Sequence, residues 1–476
     1  MVFNSVTFLV FFFLFFSVYW LGISRLSIPF RNLFIAIASY VFYGWWDWRF
    51  LLLLFFSTTA DFFIGLTIHN LTTARGRKIV LMLSILVNIG LLSFFKYFNF
   101  FTDEMMQLLG TFNIHPGWTF VKIILPVGIS FYTFQSLSYT ILIYRREIIP
   151  TRNFISFAAY VSFFPQLVAG PIERAKTFLP QFFEKKVFNY SRAVEGFRLI
   201  LFGLFKKVVI ADNLSPVVND IFDPHKSFSS VTILIGSLLF AFQIYCDFSG
   251  YSDIAIGTAR SIGFDLMKNF TTPYFSSSFT EFWHRWHISL STWFRDFVYI
   301  PLGGSHVSKH RTDLNLLITF FLSGIWHGGK LTFAIWGILH GTALILEKHL
   351  GQIMRLKKWL SCTFVFILVT LFWIPFRADG IYHFIHLTKE ISACSFSSLE
   401  LTILATQYFS STKILLLGIL FLCFLFAEGK IQINDFNQFI HSRKRVWRFG
   451  IYYFLVLSIL LLSNLDVKPF FIYFQF

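Results

Sequence analysis

One stretch of the chain concentrates side chains that can do chemistry: Thr280-Glu-Phe-Trp-His-Arg-Trp-His-Ile-Ser-Leu-Ser-Thr-Trp-Phe-Arg-Asp296. It places Glu281, His284, Arg285, His287, Arg295 and Asp296 within a little over four turns of a helix, at about 3.6 residues per turn, among Trp283, Trp286 and Trp293. Positions three apart share a helical face. On one continuous helix His284 therefore stands over Glu281, and His287 over His284. Neutral imidazole can take a proton near neutral pH, and Arg, indole N–H or backbone N–H can stabilise a developing oxyanion. The alternative is metal, because Glu-x-x-His is half of a di-iron carboxylate site. Such a site needs a second Glu-x-x-His and further carboxylates. No second copy occurs, so no metal site is expected.

A second group lies in Leu322-Ser-Gly-Ile-Trp-His327-Gly-Gly-Lys330, where His327 ends an apolar run beside Trp326 and two glycines that let another group come close. A lone histidine at a helix end is commonly structural. The polar helix upstream, with His287 available to face it, favours function. His340, in Trp336-Gly-Ile-Leu-His340-Gly, reads as structural. A third polar insertion is Tyr245-Cys-Asp-Phe-Ser-Gly-Tyr-Ser-Asp253. Asp247 and Asp253 are expected to cap a helix, to bind Arg295 or to line a cavity. No Gly-x-Ser-x-Gly elbow is present.

The elements that position these groups must cross a membrane. Of 476 residues, 56% are hydrophobic, 21% aromatic and only 13% charged, against about 25% charged in soluble domains. So few charges cannot clothe a water-soluble surface of this size. Apolar runs such as Val2–Gly22, Phe50–Ile68, Ile79–Phe95 and Val446–Ser463 meet or approach the roughly 20 residues that a spanning helix needs. The expected fold is all-α and polytopic, a single domain over 1–476 with about 11–13 membrane segments, re-entrant or interfacial ones included. Four charges on the Glu281–Asp296 helix cannot face acyl chains. That helix must lie at an interface or line a polar cavity, and its tryptophans suit the headgroup boundary.

The net charge of +16 could suggest nucleic acid, but its placement does not. Basic residues sit in short loops: Arg25 and Arg31, then Arg75, Arg77 and Lys78, then Arg145, Arg146 and Arg152. The alternate loops, Trp45–Arg49 and Asn99–Trp118, are aromatic or mixed in charge. Basic loops are retained in the cytoplasm, which puts the N-terminus outside. Val2–Trp20 has no basic n-region and reads as a retained first helix. Cys246, Cys362, Cys394 and Cys423 are scattered, which suggests neither disulfides nor zinc. Helix breakers at Pro126-Val-Gly128 and Phe164-Pro-Gln-Leu-Val-Ala-Gly170-Pro171 mark candidate re-entrant turns. Arg377–Thr412 carries too many polar groups to span and reads as a loop or surface helix. No internal repeat is visible, which weakens a transporter reading built on inverted halves.

At these residues the chain resembles the membrane-bound O-acyltransferase (MBOAT) family, in its bacterial alginate O-acetyltransferase branch. The matching strings are Glu281–Asp296, Tyr299-Ile-Pro-Leu-Gly-Gly304 and Gly324-Ile-Trp-His327-Gly. Phe42-Tyr-Gly-Trp-Trp-Asp-Trp-Arg49, Leu125–Gln135, Phe164–Arg174 and Leu204-Phe-Lys-Lys-Val-Val-Ile-Ala-Asp212 follow the same branch in order. The resemblance covers roughly Met1 to Arg377. One departure is Leu142, where the family usually has an acidic residue. The resemblance implies a multi-pass enzyme with a funnel, whose two signature positions fall on His287 and His327, the second being the catalytic one. Trp283, Arg285, Arg295 and Trp326 are the substrate-binding residues expected around that pair. It further implies no bound cofactor, a cytoplasmic acyl thioester such as acetyl-CoA as donor, and a polysaccharide acceptor on the far side. An extracytoplasmic partner of the SGNH esterase-like type would carry the acetyl group onward, with the lipid bilayer as setting and no nucleic acid. D-alanylation of teichoic acid and acetylation of peptidoglycan are the neighbouring activities, and a transporter or flippase is the alternative of another class.

Overall fold

The computed structural model describes residues 1–111, 121–350, 357–431 and 436–463. Every regular element among them is helical. This is the expected answer to hydrocarbon, because a helix satisfies its backbone polar groups within one segment. Seven of the described helices are long and apolar enough to cross a membrane: Val6–Arg25, Phe50–Asn70, Ala74–Asp103, Ser230–Ser261, Lys358–Arg377, Ser411–Lys430 and Arg445–Leu462. The chain is a polytopic membrane protein. The larger number expected from sequence includes shorter or more polar helices outside those seven. Internal contacts divide the chain into two compact units, Met1–Gly196 with Thr258–Met267, and Phe197–Gly257 with Lys268–Phe476.

The first unit holds α1 (Val6–Leu21), α2 (Ile28–Gly44), α3 (Phe50–Asn70), α4 (Ala74–Thr111), α5 (Ile129–Tyr144) and α6 (Phe154–Ser162). Ser5 caps α1, its hydroxyl accepting from the Phe8 amide at 3.1 Å. Phe8, Phe12, Phe15 and Tyr19 are its buried stripe, yet the exposed positions, among them Val6, Phe13 and Leu21, are equally apolar. A helix apolar all round is one that meets lipid. Polar groups lie inside instead. Asp61 of α3, fully buried, accepts from Ser84 Oγ at 3.0 Å and Asn88 Nδ2 at 2.9 Å, both on α4.

The two helix breaks meet. Gly128 adopts φ 79°, and a Cβ there would come within 2.4 Å of the Leu167 carbonyl oxygen, so only glycine fits. Tyr43 Oη donates to Val127 O at 2.8 Å, and the Gln135 and Gln166 amides donate to Tyr160 O at 2.9 and 3.1 Å. Residues 163–172 are buried throughout. Non-helical backbone is thus held by surrounding protein, one of the two settings that tolerate it at membrane depth. The expected loop Asn99–Trp118 is corrected in its first part. Helix α4 continues to Thr111, because Phe100 to Leu109 contain neither glycine nor proline to stop it. Its remainder, residues 112–118, lies outside the described residues.

The second unit contains most of α7 (Ser230–Ser261), then α8 (Phe279–Arg285), α9 (Ile288–Phe294), α10 (Lys309–His327), α11 (Leu331–Leu350) and α12 (Lys358–Arg377). Asp247 and Asp253 do not stand at a helix end, the place expected of a cap. They sit inside α7 and pair with a π-helical turn, Phe205–Ala211. Lys207 Nζ lies 2.6 Å from Asp247 and 2.8 Å from Asp212, and Lys206 Nζ lies 2.5 Å from Asp253. Burial explains the correction, since a carboxylate with an ammonium within reach is paired rather than left to cap. Arg295 pairs with its neighbour Asp296 at 2.8 Å. The polar stretch after Arg377 forms two helices, Ile381–Ser392 and Ser398–Tyr408. The first buries His383 and Leu387 while exposing Tyr382 and Ile385, a surface helix.

Candidate functional site

The helix that carries His287 is broken at His287 itself. Helix α8 begins with Ser278, whose hydroxyl accepts from the Glu281 amide at 3.0 Å. Glu281 reaches back to the Ser277 amide at 2.6 Å, close to a capping box, and also pairs with Arg285 at 2.6 Å. Glu347 of α11 accepts from the amides of Phe279 and Thr280. The start of α8 is therefore fixed to α11. The helix ends as the Trp286 amide bonds Phe282 O at 2.8 Å, and His287 follows at φ 42°, ψ 55° before α9 begins. That left-handed conformation is uncommon outside glycine. The single continuous helix expected from spacing is corrected: His284 and His287 do not share a face, and Glu281 serves as a cap. The break is supported from the preceding loop. Ile288 N donates to Asn269 O at 2.9 Å, and Thr271 N donates to Arg285 O at 3.0 Å.

His287 is 1% exposed. Its Nδ1 lies 3.1 Å from Asn269 Oδ1, which also accepts from Ser289 N at 3.3 Å and Ser289 Oγ at 2.9 Å. Asn269 Nδ2 donates to Ser252 Oγ at 3.2 Å. Phe248 stands edge-on to the imidazole, with ring centres 4.6 Å apart. Burial pushes the His287 imidazole down to about 3, so it is neutral at ordinary pH.

His327 ends α10, and α11 turns back against it. Gly324 and Gly337 make that approach possible. A Cβ at Gly324 would lie 2.3 Å from Phe333 O, and one at Gly337 would lie 2.2 Å from Phe320 O. Of the two glycines that follow His327, Gly328 makes room for the Phe333 ring, since a Cβ there would lie 2.4 Å from Phe333 Cε2. His327, also buried, meets the rings of Trp326, Trp336 and Phe376 at 4.8, 5.1 and 5.2 Å. Trp326 is also a neighbour of His287, with ring centres 6.3 Å apart. The two histidines therefore share one indole.

The other expected residues divide. Trp283 is buried against Phe320, Trp336 and His340. Arg285 is held by Glu281. Arg295 lines, with His284, Lys348, Trp283 and Ser323, a cavity of about 410 Å³. His340 is fully buried and boxed by Phe282, Trp283, Trp336 and Phe372, and neither of its ring nitrogens has a hydrogen-bonding partner among the described residues. Sequence reasoning missed Asn269, Ser252 and Ser289. Asn269 lies in an irregular loop 18 residues before His287, and a loop has no period by which its residues can be paired with a distant side chain.

What the arrangement offers is two buried imidazoles next to a shared indole, one of them held through Nδ1 by an amide. Over residues 105–382 the chain matches the model of the MBOAT, membrane-bound O-acyltransferase family. It is 42% identical over 388 residues to a protein of Pseudomonas aeruginosa named probable alginate O-acetylase, covering 80% of this chain and 73% of that one. A protein of the same name from Pseudomonas putida is 37% identical, with 100% of both chains covered. The peptidoglycan O-acetyltransferase of Helicobacter pylori is 36% identical over 385 residues, covering 74% of this chain and 72% of the relative.

Proposed function

Because the chain belongs to the membrane-bound O-acyltransferase family, we propose that it passes an acetyl group from a cytoplasmic thioester to an extracytoplasmic polysaccharide of the alginate type. The donor of this reading is acetyl-CoA, and an extracytoplasmic partner protein carries the group to the polymer. The setting is a bacterial inner membrane, with the basic loops on the donor side and the N-terminus outside. One observation carries the reading: His287 and His327, far apart in sequence, are neighbours of the same Trp326 ring.

In the reaction a hydroxyl oxygen attacks the thioester carbonyl carbon, and the carbon–sulfur bond breaks. The hydroxyl proton passes to His327 and from it to the departing sulfur, so no proton is gained or lost overall. Neutral imidazole suits that exchange. The aromatic walls supplied by Trp326, Trp336 and Phe376 keep water from competing for the acyl group. Acetylation of peptidoglycan is the second reading, favoured by the identity to the Helicobacter pylori enzyme.

The test uses purified protein in lipid vesicles with radiolabelled acetyl-CoA, offering an alginate-type polymer or peptidoglycan fragments together with the extracytoplasmic partner. His327→Ala should remove transfer by about 10²–10⁴-fold, the usual loss for a positioned acid–base group, with the protein still folded and inserted. Near-normal transfer by His327→Ala would sink the assignment. Labelling of peptidoglycan alone would replace the first acceptor with the second.

A further inference from the structure

Asn269 does more than support a loop. Its side chain can be oriented without ambiguity, because a backbone N–H can only donate. The Ser289 amide points at one end of the Asn269 amide group from 3.3 Å, so that end is the carbonyl oxygen, Oδ1. The other end, Nδ2, donates to Ser252 Oγ at 3.2 Å, which agrees. His287 Nδ1 lies 3.1 Å from that same Oδ1. Two lone pairs do not approach to that distance inside a buried site, so Nδ1 carries the hydrogen. The Ser289 hydroxyl cannot take over this contact. It lies 3.5 Å from Nδ1 and only 2.9 Å from Oδ1, to which its own hydrogen goes. In a neutral imidazole one nitrogen donates and the other accepts. His287 therefore presents Nε2 as an acceptor.

We propose that Asn269, braced by Ser252 and Ser289, is a positioning residue that locks His287 in the Nδ1–H tautomer, so that Nε2 of His287 orients the acceptor by accepting a hydrogen bond, from a hydrogen other than the one that passes to His327, rather than polarising the thioester carbonyl. Polarising a carbonyl needs a donor, and the only N–H of this tautomer is spent on Asn269. The left-handed backbone at His287 belongs to the same device. Backbone bonds from Ile288 N to Asn269 O and from Thr271 N to Arg285 O tie the loop to either side of the turn, and the side-chain contact then fixes the ring about its own axis. Ser252, Asn269, His287 and Ser289 are each at most 1% exposed, so bulk water does not compete with Asn269 for Nδ1. Such outer partners are known to fix tautomer and ring orientation of functional histidines. Where a catalytic imidazole is held in the wrong tautomer, the loss reaches about 10⁴-fold.

This inference rests on the acyl-transfer reading for its functional half only, and the experiment separates the two. Full-length protein with ¹⁵N-labelled histidine is placed in phosphatidylglycerol–phosphatidylethanolamine nanodiscs, and the His287 signals are assigned by their loss in His287→Gln. The wild type should show a protonated Nδ1 and an unprotonated Nε2. In Asn269→Leu that tautomer should give way to a mixture, and kcat for acetyl transfer should fall by about 10²-fold or more with KM little changed. Asn269→Asp keeps an oxygen opposite Nδ1, so it should keep the tautomer and recover most of the lost kcat. It also serves where the leucine variant is not recovered folded, since a rearranged tautomer in Asn269→Asp would count against the proposal. An Nε2–H tautomer in the wild type, or unchanged tautomer and kcat in Asn269→Leu, overturns it. If the wild type shows the Asn269-dependent tautomer but no transfer from acetyl-CoA, the positioning stands and the acyl-transfer reading falls.

Discussion

At the scale of single residues, His284, His287, His327 and His340 differ by their neighbours rather than by their sequence context. His284 opens toward a cavity, His287 is held by an amide, His327 and His340 are ringed by aromatics. His340 is the informative contrast to His327. Its nitrogens have no hydrogen-bonding partner among the described residues, and its four ring neighbours make a box that would accept a phenyl group. Replacing a buried unsatisfied polar group by an apolar one of similar shape is close to neutral or stabilising. His340→Phe should therefore keep acetyl transfer and leave the thermal midpoint unchanged or raised, whereas His327→Phe should lose transfer. A folded His340→Phe protein without activity would move the site to His340. The His-rich strings themselves were legible, because charged and ring-bearing residues are conspicuous in an apolar chain. Asn269 was not legible, since nothing in residue type marks one loop amide as the partner of a distant imidazole.

At the scale of elements, helical spacing read Glu281 to Asp296 as one rod, and the chain breaks it without glycine or proline. The reason is tertiary: backbone bonds to the loop at Asn269 and Thr271 take the place of continued helix. Local propensity carries no trace of partners supplied from elsewhere. The same limit hid the roles of Asp247 and Asp253, whose lysines, Lys207 and Lys206, lie 40 and 47 residues upstream. Both were visible as expensive residues in an apolar run, but a carboxylate's partner is a property of packing. That packing is testable. Lys207 and Asp247 have side chains each 3% exposed, and removing one member of a buried pair costs about 3–5 kcal/mol. Lys207→Met should lower the temperature at which the detergent-extracted protein aggregates, or prevent its recovery. Lys207→Met combined with Asp247→Leu should regain part of the loss, because the remaining buried charge is then reduced. A Lys207→Met protein as stable as the wild type would show that the pair contributes nothing to holding the π-helical turn on α7.

At the scale of the whole molecule, the apolar runs, the all-helical fold and the family were readable from sequence, because lipid imposes one rule on every segment that meets it. What composition adds beyond the fold is an expected direction. Helix α4 joins a basic end, Arg75, Arg77 and Lys78, to an end that carries Asp103 and Glu104. Its 38 residues span about 57 Å at a rise of 1.5 Å each, well over the roughly 30 Å hydrocarbon layer. The two ends of this helix therefore belong on opposite sides of the membrane. Since Lys- and Arg-rich ends are retained in the cytoplasm, the Arg77 end is expected inside. The segment Glu173–Arg192 carries Arg174, Lys176, Lys185, Lys186 and Arg192 and should lie on the same side. Reporter domains fused after Arg77 and after Lys186 should both read as cytoplasmic, and one fused at Asn113 as extracytoplasmic. The proposed reaction depends on that sense, because a cytoplasmic thioester must enter from the basic side. An extracytoplasmic reading at Arg77 would invert the orientation and leave the donor without access from the compartment that makes it.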